Sequence, residues 1–281
     1  MTVVGNHAPG NHTLANPTLA DHTWEPDLRA ALAAVEDGLV EATRSDMPFI
    51  AEAARHLARP GSRRLRPLLV LLAARFGDPG APGIVPAAVV VELTHLATHY
   101  HDDVRHETNA SVAVLIGDFL FARASRLLAG LGPRAVRLQA DAFKCLVTGQ
   151  ILETTGPRDG HDPVAHHLRT LAARSGSLTA VSGRLGALTS GAPEEVADTL
   201  AVYGERLGVA RHLAAELRSP IHGAPTLPVL LSGDPTAPAM TEARHEMLRQ
   251  CAAAREALTP LPTGPARTAL AELCDKVAQT T

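Results

Sequence analysis

Glu92-Leu93-Thr94-His95-Leu96-Ala97-Thr98-His99-Tyr100-His101-Asp102-Asp103 is the stretch whose reading decides the fold. It continues an apolar run that starts near Ile84, and its spacing is that of a helix. It ends in two adjacent carboxylates. Charged groups at the end of a buried helix are costly unless something compensates them, and carboxylates suit a hard cation such as Mg²⁺. Residues three, four or seven apart share a helix face, so His95, Thr98 and Asp102 line one side and His99 and Asp103 a neighbouring one. His106 and Glu107 follow four residues after Asp102 and Asp103 and are further candidate metal ligands. A pair of acids closing a helix also reads as a solvated helix end, and the residues alone leave both readings open.

Working outward, the chain is helical almost throughout. Leu28, Leu32, Val35, Leu39 and Val40 form one apolar stripe, and Phe49 to Leu57 predicts a second helix. Pro60-Gly61-Ser62 breaks the chain before a third, from Arg64 to Arg75. A turn at Gly77-Asp78-Pro79-Gly80 leads into the helix of the opening stretch, predicted to run from Ile84 to about Glu107. Further helices are expected over Ser111–Ala129, interrupted at Gly117-Asp118, and from Pro133 to Leu152. Another runs from about Asp162 to Thr189, with a break at Ser175-Gly176. Pro193 to Arg218 follows, opening on Pro and two acids. Ser219 to Pro225 reads as a linker, Leu227 to Leu231 as a short apolar segment, and two last helices occupy about Thr241 to Leu258 and Gly264 to Ala278. No strand or internal repeat is evident. Residues 1–24 lack periodicity and predict a flexible tail, His7, His12 and His22 included. Residues 25–281 predict a single all-α domain.

Composition bounds the function. Apolar residues make up 46% of the 281 residues and aromatics only 3%, so the core is built from small side chains that suit closely packed helices. A net charge of −3 gives no reason to expect nucleic acid or an anionic membrane surface. Cys145, Cys251 and Cys274 are far apart and form no metal or disulfide framework, which points to a reducing cytoplasmic setting. Neither a leader segment nor an apolar run long enough to span a bilayer is expected.

Three further groups carry chemistry. Gly61-Ser62-Arg63-Arg64-Leu65-Arg66-Pro67 clusters three arginines at a helix start. The free N–H groups of a helix N-terminus and the forked donors of arginine match phosphate oxygens, although a basic surface patch would look the same. His166-His167 precede Arg169 and Arg174-Ser175, and a pair of surface histidines is expected to be solvated. Gly149-Gln150 sits inside an apolar helix, where glycine costs stability. Either a close backbone approach or a ligand contact would account for it.

Together these pieces resemble the trans-isoprenyl (polyprenyl) diphosphate synthase family over about residues 28 to 281. Gly61 to Pro67 is similar to its GGKRLRP, with Ser62 for Gly and Arg63 for Lys. Glu92-Leu93-Thr94-His95 and His101-Asp102-Asp103-Val104 resemble ELxH…HDDV. Gly117-Asp118-Phe119-Leu120 resembles GDFL, Thr148-Gly149-Gln150 the segment ending in GQ, and Thr226-Leu227-Pro228-Val229-Leu230 TLPxL. Arg174-Ser175 stands where Lys-Thr is usual. The resemblance implies an isoprenoid-synthase-type bundle of helices around a central cavity, usually dimeric, that condenses isopentenyl diphosphate with an allylic diphosphate. It implies that Arg63, Arg66 and His95 bind isopentenyl diphosphate, and that Gln150, Arg174 and Ser175 hold the allylic partner. Asp102 and Asp103 would bind Mg²⁺ and serve catalysis. Ala97, five residues before Asp102, would leave an apolar tunnel open.

The chain departs from the pattern at both metal motifs. DDxxD reads Asp102-Asp103-Val104-Arg105-His106, and the arginine pair and loop that follow are missing. GxAFQxxDDxLD is replaced by Gly208-Val209-Ala210-Arg211-His212-Leu213-Ala214-Ala215-Glu216-Leu217-Arg218, leaving Glu216 as one remaining carboxylate and candidate metal ligand. Loss of metal ligands removes electrostatic assistance to ionisation. Arg211, with His212 and Arg218, reads either as a direct diphosphate contact or as a chance replacement on a silenced site, the second being the plainer expectation. The functional expectation is a catalytically reduced subunit, in a homodimer or in a heteromer with a full-motif synthase, with Mg²⁺ binding weakened. Alternatives are a prenyltransferase or class I terpene synthase working through Asp102-Asp103…Glu107 as DDxxxE, and a prenyl diphosphate-binding protein without turnover.

Overall fold

The structure is a computed structural model that describes residues 26–45, 64–103, 110–219 and 225–280, with the backbone alone described at Asp102, Asp103 and Ala110. The expected tail over residues 1–24, the helix expected from Phe49 to Leu57, and Arg63, His106 and Glu107 lie outside the described residues.

Among the described residues all regular structure is helical: α1 (Pro26–Ala42), α2 (Leu65–Ala74), α3 (Ile84–Asp103), α4 (Ala110–Ala129), α5 (Pro133–Thr155), α6 (Pro163–Leu171), a π-helical turn (Ala172–Gly176), α7 (Ser177–Thr189), α8 (Glu194–Arg218), α9 (Leu227–Ser232), α10 (Ala237–Ala257) and α11 (Pro265–Ala278). Local chemistry sets several ends. The Asp162 side chain accepts a hydrogen bond from the Val164 backbone N–H at 2.9 Å, with Pro163 pre-set for the first turn of α6. Glycines at positive φ close α5 and α9, Gly156 at 69° and Gly233 at 81°.

Every residue of α2 is buried, which makes it the centre of the bundle. It packs on α3 on one side and α7 on the other; α4 covers α3, and α8 and α10 continue outward from α7. Close approach depends on small residues. A Cβ on Gly204 of α8 would lie 2.5 Å from the Thr179 carbonyl oxygen of α7, so no side chain fits there. Tyr203, on the same helix, is 1% exposed and donates its hydroxyl to the Leu270 carbonyl oxygen of α11 at 2.7 Å. Its ring thereby enters the core without an unpaired polar group.

Three sequence expectations change. Gly117-Asp118 does not interrupt α4, which runs unbroken from Ala110 to Ala129. Gly117 instead makes room for the His101 ring and the Ala97 carbonyl, which a Cβ would meet at 2.3 and 3.1 Å. The break expected at Ser175-Gly176 is a π-helical turn that keeps the chain helical into α7. The last long helix also starts earlier than expected, at Ala237, because Pro238 suits a first turn. No helix among the described residues is long and apolar enough to cross a membrane.

Candidate functional site

A cavity of about 250 Å³ opens where α2, α3, α5, the π turn and α8 converge. Arg66 enters it from α2, His95 and His99 from α3, and Gln150 from α5. The π turn contributes Arg174 and Ser175, and α8 contributes Arg211 and His212. Of the residues expected to bind substrate, Arg66, His95, Gln150, Arg174, Ser175 and Arg211 are therefore brought to one cavity. Asp102 and Asp103 close α3, the helix that also carries His95 and His99. Ala97 is fully buried in α3 and does not line this cavity.

Gly149 explains how Arg174 reaches its place. A Cβ there would stand 2.7 Å from the Arg174 backbone nitrogen, so the glycine in α5 is a close backbone approach to the π turn. The extra residue of a π turn re-aims side chains. Here Arg174 meets Glu153 at 2.5 and 2.6 Å, and the Ser175 hydroxyl lies 2.9 Å from His212 Nδ1.

The arginines at the start of α2 divide. Arg64 does not point to the cavity. It holds Glu36 through two hydrogen bonds of 2.7 and 3.0 Å and Glu92 through one of 3.0 Å, a buried ion cluster tying α1, α2 and α3 together. Arg66 is different. It is 7% exposed, and its Nε has no hydrogen-bond partner among the described residues. Burial and the nearby Arg211 guanidinium push its pKa down to about 9, against the opposing pull of Glu92. Arg211 is in a similar state: its Nε is buried and has no hydrogen-bond partner among the described residues, and burial lowers its pKa. Burial, with Arg66, His99, Arg211 and Arg64 close by, holds the His95 imidazole well below its ordinary range, so it is neutral at pH 7. The His95 and His99 rings meet edge-on, 4.9 Å between centres.

Glu216 has a different place from the one expected of a metal ligand. It is 6% exposed, and both carboxylate oxygens are engaged. Oε1 lies 2.9 Å from His167 Nε2 and 3.5 Å from His212 Nε2, and Oε2 accepts the Leu227 backbone N–H at 2.9 Å. Burial raises its pKa, but the hydrogen bonds from His167 and His212 outweigh that and bring it down to about 2. His166 and His167 are likewise not merely solvated: His166 lies against the Leu152 carbonyl oxygen at 3.0 Å, and His167 is the partner of Glu216. Glu36, Glu153 and His167 were the partners hidden from the sequence, because each pairs across 21 residues or more. Among the described residues no three of His, Cys, Asp or Glu come together to hold a metal ion.

The fold and the cavity define an all-helical protein whose central site is suited to a polyanion. The sequence matches the Polyprenyl synthetase family over residues 47–212, and the chain belongs to that family. It is 32% identical to nonaprenyl diphosphate synthase of Mycobacterium tuberculosis, covering 91% of this chain and 94% of that one. It is 32% identical to heptaprenyl diphosphate synthase component 2 of Geobacillus stearothermophilus, covering 79% and 76%. Among solved structures it superposes on geranylgeranyl pyrophosphate synthase of Corynebacterium glutamicum, complexed with calcium and isoprenyl diphosphate, with a TM-score of 0.81 and 32% identity over 91% of this chain and 98% of that one.

Proposed function

We propose that this chain is a catalytically reduced polyprenyl synthase subunit that binds a prenyl or isopentenyl diphosphate and pairs with a complete synthase. The observation that carries the reading is the wall supplied by α8. That helix presents Arg211 and His212 to the cavity, and its buried carboxylate, Glu216, is committed to His167, His212 and Leu227. A cation held between two acidic walls would need carboxylates from both, and the described residues lining the cavity include no Asp or Glu. Asp102 and Asp103 would be the ligands for any Mg²⁺ that binds, and such an ion would supply charge to a leaving diphosphate. With one acidic wall, that assistance to ionisation is curtailed.

Pairing is supported by two observations. Val114 and Leu115 of α4 and Val136 and Ile151 of α5 are exposed apolar side chains, with Leu115 64% and Ile151 57% exposed. Relatives include heptaprenyl diphosphate synthase component 2 from Geobacillus stearothermophilus and from Bacillus subtilis, names that denote one part of a larger enzyme.

The test is a pyrophosphate-release assay with isopentenyl and allylic diphosphates, run with and without a full-motif synthase from the same source. No turnover alone, together with a heteromer that alters the partner's rate or product length, is the expected result. Mg²⁺-dependent release by the purified chain that Asp102→Ala abolishes would replace this reading with that of an active DDxxxE enzyme.

A further inference from the structure

The reading that the cavity binds a diphosphate leaves open how it does so, and the following inference rests on that reading. Arg66 and Arg211 come from helices distant in sequence, and both reach one cavity. Each has a buried Nε with no hydrogen-bond partner among the described residues. A buried guanidinium nitrogen without a partner is costly, because its desolvation is not repaid. Of the nearby acids, Glu92, whose field reaches both arginines, gives its Oε1 to Arg64, and its Oε2 is buried without a hydrogen-bond partner among the described residues. Glu153 is held by Arg174, and Glu216 by His167 and His212. The described residues that line the cavity are cationic or neutral throughout.

We propose that Arg66 and Arg211 form a diphosphate site that works by direct guanidinium contact, with no divalent cation, and that Arg211 determines its preference for diphosphate over monophosphate. Two forked donors from two helices match the oxygens of two linked phosphates better than those of one. Size supports a head-group site. The cavity of about 250 Å³ falls below the roughly 300–1,000 Å³ usual for drug-sized ligands, so it takes a diphosphate and a short apolar group rather than a long chain.

The experiment is calorimetric titration of the full chain with inorganic pyrophosphate, isopentenyl diphosphate and orthophosphate, in EDTA and in Mg²⁺. Expected are binding of both diphosphates in EDTA, weaker binding of orthophosphate, and a roughly ten- to hundredfold loss in Arg211→Leu that Arg211→Lys partly restores. Removing an unpaired buried charge does not endanger the fold, so the ligand-free Arg211→Leu protein should melt no lower than the wild type. Its melting curve separates a lost contact from a lost structure. Diphosphate binding that is unchanged in Arg211→Leu, or that needs Mg²⁺, would overturn this proposal while leaving the cavity a diphosphate site. Absence of diphosphate binding in both EDTA and Mg²⁺ would overturn the proposal together with the reading beneath it.

Discussion

Replacing Glu216 with glutamine separates a metal ligand from a structural clamp. In the structure the carboxylate joins three helices: its own α8, α6 through His167, and the start of α9 through the Leu227 N–H. The folded state holds its pKa near 2 against an ordinary value of 4.5. A depressed carboxylate contributes stability that is present above the unfolded pKa and is lost as pH falls through the folded one. A difference of roughly 2.5 units corresponds to about 3 kcal/mol at neutral pH. Glutamine keeps the shape and can still accept from Leu227, so Glu216→Gln should cost about 2–3 kcal/mol. That is on the order of 4–12 °C in Tm for a domain of this size. Urea unfolding of both proteins at several pH values is the assay. The gap between them should be full above about pH 4.5 and shrink as the pH approaches 2. Equal stability at neutral pH, or a gap that appears only when Mg²⁺ is added, would refute the clamp.

Arg64→Met should destabilise the protein by about 3–5 kcal/mol in urea unfolding, because it strands Glu92 in the core, and the Arg64→Met/Glu92→Met pair should recover most of that. Gly149→Ala gains about 1 kcal/mol of helix propensity but forces a Cβ to within 2.7 Å of the Arg174 backbone nitrogen. Overpacking of about 1–3 kcal/mol wins, so both Tm and pyrophosphate affinity should fall. His95 faces Arg64 and Arg66 of the α2 segment, His99 of α3 and Arg211 of α8, which together with burial hold its pKa down. A bound anion raises it, so binding takes up a proton. As the pH falls toward and below the ordinary histidine range, the wild type should gain pyrophosphate affinity relative to His95→Gln in titration calorimetry. Parallel slopes would place His95 outside the site.

The helices were legible in the sequence because apolar periodicity and Pro and Gly punctuation are local signals. Most of the cavity was legible too, since the family resemblance put Arg66, His95, Gln150, Arg174 and Ser175 in register. What stayed hidden was pairing over distance. Arg64 and Arg66 lie two residues apart in the same basic cluster, yet one is locked to Glu36 and Glu92 and the other faces the cavity. Helix phase alone did not say which. Glu216 read as a surviving metal ligand because carboxylates are common to both roles, and its clamp needed His167, 49 residues away. Nor does the π turn carry a compositional mark. It was visible only as a break near Ser175-Gly176.

Burial bears on the one residue for which chance replacement was the plainer expectation. An arginine that drifts onto a silent site can remain at little cost where solvent reaches it. Arg211 is not so placed: its Nε is buried, without a hydrogen-bond partner among the described residues, and close to the Arg66 guanidinium, whose Nε is in the same state. The effective penalty for such a group is several kcal/mol, a large share of the roughly 5–15 kcal/mol that holds a domain folded. Leucine or glutamine at that position would relieve it. A costly residue retained where cheaper ones fit is the pattern expected of a site that trades stability for a ligand. On that argument α8 turns an arginine and a histidine toward the cavity while its buried carboxylate is held by His167, His212 and Leu227, and a diphosphate would supply the countercharge to Arg66 and Arg211.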